Sequence, residues 1–247
     1  VGVAVQGATD AARAAADIVL TQPGLSTIVN GIIISRRIFV RIKNFLTYRI
    51  AATLQLLVFF FISVLAFKPI DYMPANWETK SNFPDDHSWP EFFHMPVLML
   101  MLITLLNDGT LIAIGYDRVE ARDTPEKWNL TVLYIVSSVL AFVALASSII
   151  LLFLCLDSWN SGFLGGLSYG QITSAIYLKV SISDFLTLFS ARTNENWFWT
   201  TAPAPILMGA GAIALSLSTI ISCAWPPSYP DGVYTEGLGR RSPQAMA

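Results

Sequence analysis

Charge is scarce in this chain. Of 247 residues only 13 % are Asp, Glu, Lys or Arg, against about 25 % in an ordinary soluble domain. Histidine and cysteine are scarcer, with two of each. His87 and His94 share no metal-ligand spacing with each other or with Cys155 and Cys223, so no metal site is expected. The cysteines lie near the ends of apolar stretches and read as two buried thiols rather than a disulfide. No run of basic residues offers a footprint for nucleic acid. The Gly-x-x-x-x-Gly-Lys-Ser/Thr loop, the His-Glu-x-x-His pair and the dinucleotide-binding glycine pattern are all missing, and no nucleophile can be matched with a base.

Apolar sequence is what the chain does have: 54 % of residues are hydrophobic and the mean hydropathy is +0.56. The expected fold class is mainly α, a polytopic helical membrane bundle with a small α/β remnant of a cytoplasmic domain at the N-terminus. Val1 to Val5 and Asp17 to Leu20 read as short strands around an alanine-rich helix capped by Thr9. This strand-helix-strand unit is the edge of an α/β domain and cannot form a core alone. The chain starts at Val1 without a signal-peptide pattern and reads as a piece of a longer polypeptide.

Residues 1–24 thus form the end of a soluble domain, closed by a turn at Pro23 and Gly24. From Leu25 a helical pattern runs without proline to Phe67. Its first part, 25–43, is a stalk that becomes a membrane span, so that rotation of a soluble domain would pull on it. Five spans are predicted at about 44–67, 94–115, 130–156, 172–191 and 203–225, followed by a polar tail at 226–247 ahead of a further helix beyond the chain. The loop 68–93 is polar and aromatic, with Trp77, Trp89 and Phe92 expected at the membrane interface. Arg36, Arg37, Arg41 and Lys43 precede the first span, while Arg118, Arg122, Lys127 and Arg192 follow the second and fourth. The opposite loops hold only Lys68 and Lys80, which puts the N-terminus in the cytoplasm.

The stretch Thr104 to Thr110 is the centre of the molecule on this reading. Asp108 is the only acid in the second span. A charged residue at mid-membrane costs about 2.5–3.5 kcal/mol on insertion scales, so it is expected to be held away from lipid and to work. Asn107 and Thr110 add hydrogen-bonding groups, and Gly109 suggests a hinge or local helix break that presents a proton or cation site. Gln55 in the first span is either an interhelical hydrogen bond or part of the site. Asp184 in the fourth span is a second polar centre that is either structural or functional. Arg49 and Lys179 are expected to snorkel toward the membrane edges.

The residues from Val1-Gly2-Val3-Ala4-Val5 through Asp10-Ala11-Ala12-Arg13 to Pro23-Gly24-Leu25-Ser26 resemble the end of the phosphorylation domain of a P-type ATPase. Ser35-Arg36, Arg41-Ile42-Lys43-Asn44 and Tyr48-Arg49-Ile50-Ala51 resemble the stalk and fifth membrane helix of plasma-membrane proton-pumping ATPases of the type III subfamily. Leu106-Asn107-Asp108-Gly109-Thr110 is similar to their sixth helix and Tyr177-Leu178-Lys179-Val180-Ser181 to the start of their eighth. The resemblance implies helices five to nine of ten in an ATP-driven proton export pump of the plasma membrane. It implies that Asp108 carries the proton, that ATP and Mg2+ bind in parts of the protein outside these residues, and that this stretch alone does not hydrolyse ATP. The partners it implies are the lipid bilayer and the N-terminal helices and cytoplasmic domains of the same protein. Two features depart from the plant and fungal pumps. Gln55 stands where plant pumps have arginine and fungal pumps histidine, and the loop 68–93 is longer, as in protist pumps.

Three rival readings stay open at this level, one of them a non-catalytic relic of a truncated gene. A sodium or calcium ATPase would have to find its ligands among Asp108, Asn107, Gln55 and Asp184, a thin set for calcium, which takes six to eight oxygens. A passive channel or secondary transporter would need only the helices.

Overall fold

The computed structural model describes residues 1–22, 26–73, 89–119, 129–161, 165–193, 202–228 and 234–239. The turn at Pro23 and Gly24, the loop residues Trp77, Lys80 and His87, the basic residues Arg122 and Lys127, and Arg240 and Arg241 of the tail lie outside them.

Strand β1 (Val3–Ala4) and strand β2 (Ile18–Val19) pair in parallel across helix α1 (Asp10–Ala15). The Thr9 hydroxyl accepts the Ala12 amide and starts α1. Helix α2 (Ser26–Ala66) is a single rod of 41 residues, the continuous helix expected from the proline-free pattern. The other long helices among the described residues are α3 (Val97–Ile114), α4 (Leu130–Leu156), α5 (Tyr169–Arg192) and α6 (Pro205–Ala224). All five from α2 to α6 are long and apolar enough to cross a membrane. The observed architecture is the expected one, a mainly α polytopic bundle with a two-stranded remnant.

Helix α5 is the central one. It packs against α2, α3, α4 and α6. Over its most apolar window 56 % of residues are buried, against 33 % or less in the other four helices. That position explains its lower hydropathy, 1.3 against 2.0 or more elsewhere. Most of its serines and threonines, and Asp184, are buried among the other helices, and several find partners there. Ser218 of α6 donates to Ser181 at 3.0 Å, and Ser222 of α6 donates to the Ser174 carbonyl at 2.9 Å. Small residues bring the backbones close, because Gly211 of α6 sits against the Phe185 ring with no room for a Cβ.

One apolar cluster joins Phe59, Phe93, Met99, Ile103, Leu152, Ile172 and Ile176 toward one end of the bundle. A second joins Tyr48, Ala52, Ala113, Ile114, Leu188 and Leu207 toward the other. Trp89 belongs to the first cluster, 2 % exposed and set against Tyr169 with ring centroids 6.0 Å apart. It is a core residue of the bundle, whereas Phe92 is 54 % exposed. Both cysteines are free; Cys155 is buried, but Cys223 is exposed, which corrects the expectation for the second thiol.

Candidate proton site and the polar knots around it

Helix α3 runs unbroken through Gly109, which has open space where a Cβ would be. The expected helix break at Gly109 is therefore not present. Thr110 turns its hydroxyl back to the Leu106 carbonyl at 2.7 Å and the Asn107 carbonyl at 3.2 Å, which satisfies it within its own helix.

Asp108 lies on the outer face of α3, where the Arg49 guanidinium of α2 donates to its carboxylate. The Arg49 and Asp108 side chains are 46 % and 52 % exposed on the surface of this bundle. Among the described residues the Asp108 side chain stays half-exposed beside α2. One expectation is corrected here. Arg49 does not snorkel away, because a carboxylate within reach in an apolar span is a better partner than a distant interface. An open groove of about 380 Å³ runs beside the pair between α2 and α3, with Arg49, Thr53, Thr104 and Asn107 on its wall.

Consecutive residues of a helix point about 100° apart. Asn107 accordingly faces inward where Asp108 faces outward. Its amide donates to Asp184 Oδ2 of α5. Asp184 is fully buried, and its Oδ1 has no hydrogen-bond partner among the described residues. Two adjacent residues of α3 thus address two carboxyls, one paired and half-open, the other enclosed. A gap of about 10 Å³ lies alongside, lined by Asn107, Thr110, Ser181 and Ser218 among others. That is about the least room a single water needs. Lys179, five residues before Asp184, also departs from expectation. Its ammonium donates to the Ala144 carbonyl at 2.7 Å and to the Ser148 hydroxyl of α4, so it is tied inside the bundle. Gln55 is 1 % exposed, and neither atom of its amide has a partner among the described residues. The structure does not bond it to either acid.

Two polar knots escaped the sequence reading. At one end of the bundle Arg192 of α5 grips the Asp117 carboxylate through Nε at 2.8 Å and Nη2 at 3.1 Å, with both side chains almost fully buried. The same carboxylate accepts the Ala204 amide at the start of α6 at 3.1 Å, where a helix N-terminus favours an anion. Arg41 of α2 donates twice to the Asp117 carbonyl, at 3.0 and 2.7 Å. Asn44 of α2 donates to the Arg192 carbonyl at 3.1 Å. At the other end Ser168 and Gln171 form a capping box at the start of α5, and Ser168 donates to the buried Glu236 at 3.0 Å. The Ser-x-x-Gln spacing was readable in the sequence; the partners of Asp117 and Glu236 were not, because they lie 75 and 68 residues away. Among the described residues no group of three or more His, Cys, Asp or Glu side chains could hold a metal ion.

Comparison with known proteins gives a consistent picture. The chain is 49 % identical over 96 % of its length to "Probable proton ATPase 1B" of Leishmania donovani, and 49 % identical over 96 % to "Probable proton ATPase 1A" of the same organism. It is 32 % identical over 96 % of its length to "Probable plasma membrane ATPase" of Dictyostelium discoideum. It spans about a quarter of the length of these relatives, 24 %, 24 % and 20 %. No family model matches the chain. Likeness to proteins named proton ATPases therefore extends over nearly all of the chain.

Proposed function

We propose that this chain is the membrane part of a P-type pump that exports protons at the expense of ATP, with Asp108 as the proton carrier. The observation that carries this reading is the Arg49–Asp108 pair, a carboxylate and its cation inside two apolar helices. The likeness to proton ATPases supports it, because it covers 96 % of the chain and so includes both helices.

The chemistry follows from which groups stand beside the carboxyl. A guanidinium held against a carboxylate opposes its protonation, whereas a carboxylate shut away from water and from its cation takes a proton up. Withdrawal and return of Arg49 would load and release a proton at Asp108. A hundredfold change in proton affinity requires about 2.7 kcal/mol. Carrying one charge against 100 mV requires about 2.3 kcal/mol. The two are similar, and together they set the scale of work that a displacement of α2 relative to α3 would have to supply. Asn107 would link the site to Asp184, with Thr110 and Gln55 as polar support. No bend at Gly109 is required.

On this proposal the exposed face of the pair is covered by helices from other parts of a longer polypeptide. ATP and Mg2+ bind in cytoplasmic domains that these residues do not contain, so the chain alone does not hydrolyse ATP. The N-terminal remnant and the Asp117 knot lie on the cytoplasmic side of the plasma membrane, and Trp89 and Glu236 on the outer side.

The test is the full-length protein in sealed liposomes. ATP should drive proton uptake in buffers free of sodium and calcium. Uptake that needs either cation would favour the other pumps, and proton movement without ATP would favour a passive pathway.

A further inference from the structure

Two enclosed side chains are short of partners where α2 meets α5. Both amide atoms of Gln55, and Oδ1 of Asp184, make no hydrogen bond among the described residues. Buried polar groups are mostly paired, so two such groups in one interface call for a reason. Their positions offer one. Asn44 of α2 donates to the Arg192 carbonyl of α5. Further along, Tyr48 shares a cluster with Leu188, and Phe59 shares one with Ile176. The two helices therefore run antiparallel in a definite register. Asp184 is level with Ala52, and Gln55 lies one turn beyond it, about 4.5 Å along the axis. The faces agree as well as the levels. Gln55 stands between Tyr48 and Phe59 on the buried side of α2, and Asp184 stands four residues from both Val180 and Leu188 on the buried side of α5. A glutamine side chain covers such a distance by changing rotamer.

The chemistry of the two groups suits a contact that is made and broken. An amide donates to a carboxylate through Nε2–H and accepts from a carboxylic acid at Oε1, so Gln55 can serve Asp184 with or without a proton. A guanidinium only donates and favours the ionised acid, as Arg49 does beside Asp108. We propose that Gln55 is a positioning residue whose amide closes on the free oxygen of Asp184 in one stage of the pump cycle and stands clear of it in the present structure. Asp184 is then held between the Asn107 amide of α3 and the Gln55 amide of α2, and movement of α2 acts on the enclosed acid as well as on the half-open one. This inference rests on the pump reading, since ATP hydrolysis supplies the movement.

The experiment uses the full-length protein. Its structure is determined with and without Mg2+ and a non-hydrolysable ATP analogue, and the Gln55 amide should reach hydrogen-bond distance of Asp184 in one of the two. In liposomes, Gln55→Met keeps the length of the side chain and loses the amide. It should slow ATP-driven proton uptake about threefold or more, within the range of coupling between residues in contact. Gln55→His, which returns a donor and an acceptor, should recover part of the rate. In an Asp184→Leu background, Gln55→Met should have no further effect. An amide that stays clear of Asp184 in both structures, a normal rate in Gln55→Met, or equal slowing by Gln55→Met in both backgrounds overturns the inference and leaves the pump standing. A wild-type protein with no ATP-driven proton uptake overturns the pump reading and this role with it.

Discussion

An acid in an apolar helix needs a partner, and two answers occur here side by side. Asp108 takes a cation from α2, and Asp184 takes an amide from α3. The pair makes a definite prediction. Removing Arg49 alone leaves an uncompensated carboxylate, which is worse than removing both charges. Arg49→Met should lower the folded yield of the full-length protein in detergent, and Arg49→Met with Asp108→Asn should restore much of it. Size-exclusion profiles of the two variants check this; equal yields would mean that the pair contributes nothing to folding. Asp108 itself was legible in the sequence, since a single carboxylate in an apolar run stands out. Its partner was not. Choosing Arg49 over Gln55 requires knowing how α2 and α3 are aligned, and an isolated span carries no information about the register of another. The same applies to Asn107 with Asp184 and to Asp117 with Arg192.

Elements show the same division. The length of α2 could be read from the absence of proline and the continuous helical pattern, and the remaining helices from their apolar length. Their packing order could not, although the low hydropathy of α5 hinted that it is surrounded by helices. Close approach of α5 and α6 depends on Gly211, where a Cβ would lie 1.9 Å from the Phe185 ring. Gly211→Val should destabilise the protein by about 1–3 kcal/mol, in line with other overpacked cores. Phe185→Ala in the same background should recover part of the loss. Thermal inactivation in detergent would show it, and an unchanged midpoint for Gly211→Val would mean that the helices separate without cost. At the far end of the same helix pair, Gly170 leaves no room between α5 and the backbone at Glu236. The polar tail is thus partly folded against the bundle, where sequence alone gave only polarity.

The whole molecule is a membrane bundle with a long helix reaching toward a soluble remnant, and its likeness to proton ATPases covers a quarter of their length. Its orientation is open to test. With Cys155 and Cys223 replaced, an impermeant thiol reagent applied to intact cells should label Asp71→Cys, and should label Arg118→Cys only after permeabilisation. The opposite pattern would invert the topology and put Asp117 on the outer side. The central claim is narrower than topology: one carboxyl on α3 carries the proton. It is tested most directly by the full-length protein bearing Asp108→Asn in sealed liposomes, with ATP-driven proton uptake followed over time. Uptake should drop to the background level, and Asp108→Glu should retain part of it. Uptake by Asp108→Asn at the unmodified rate would contradict the claim.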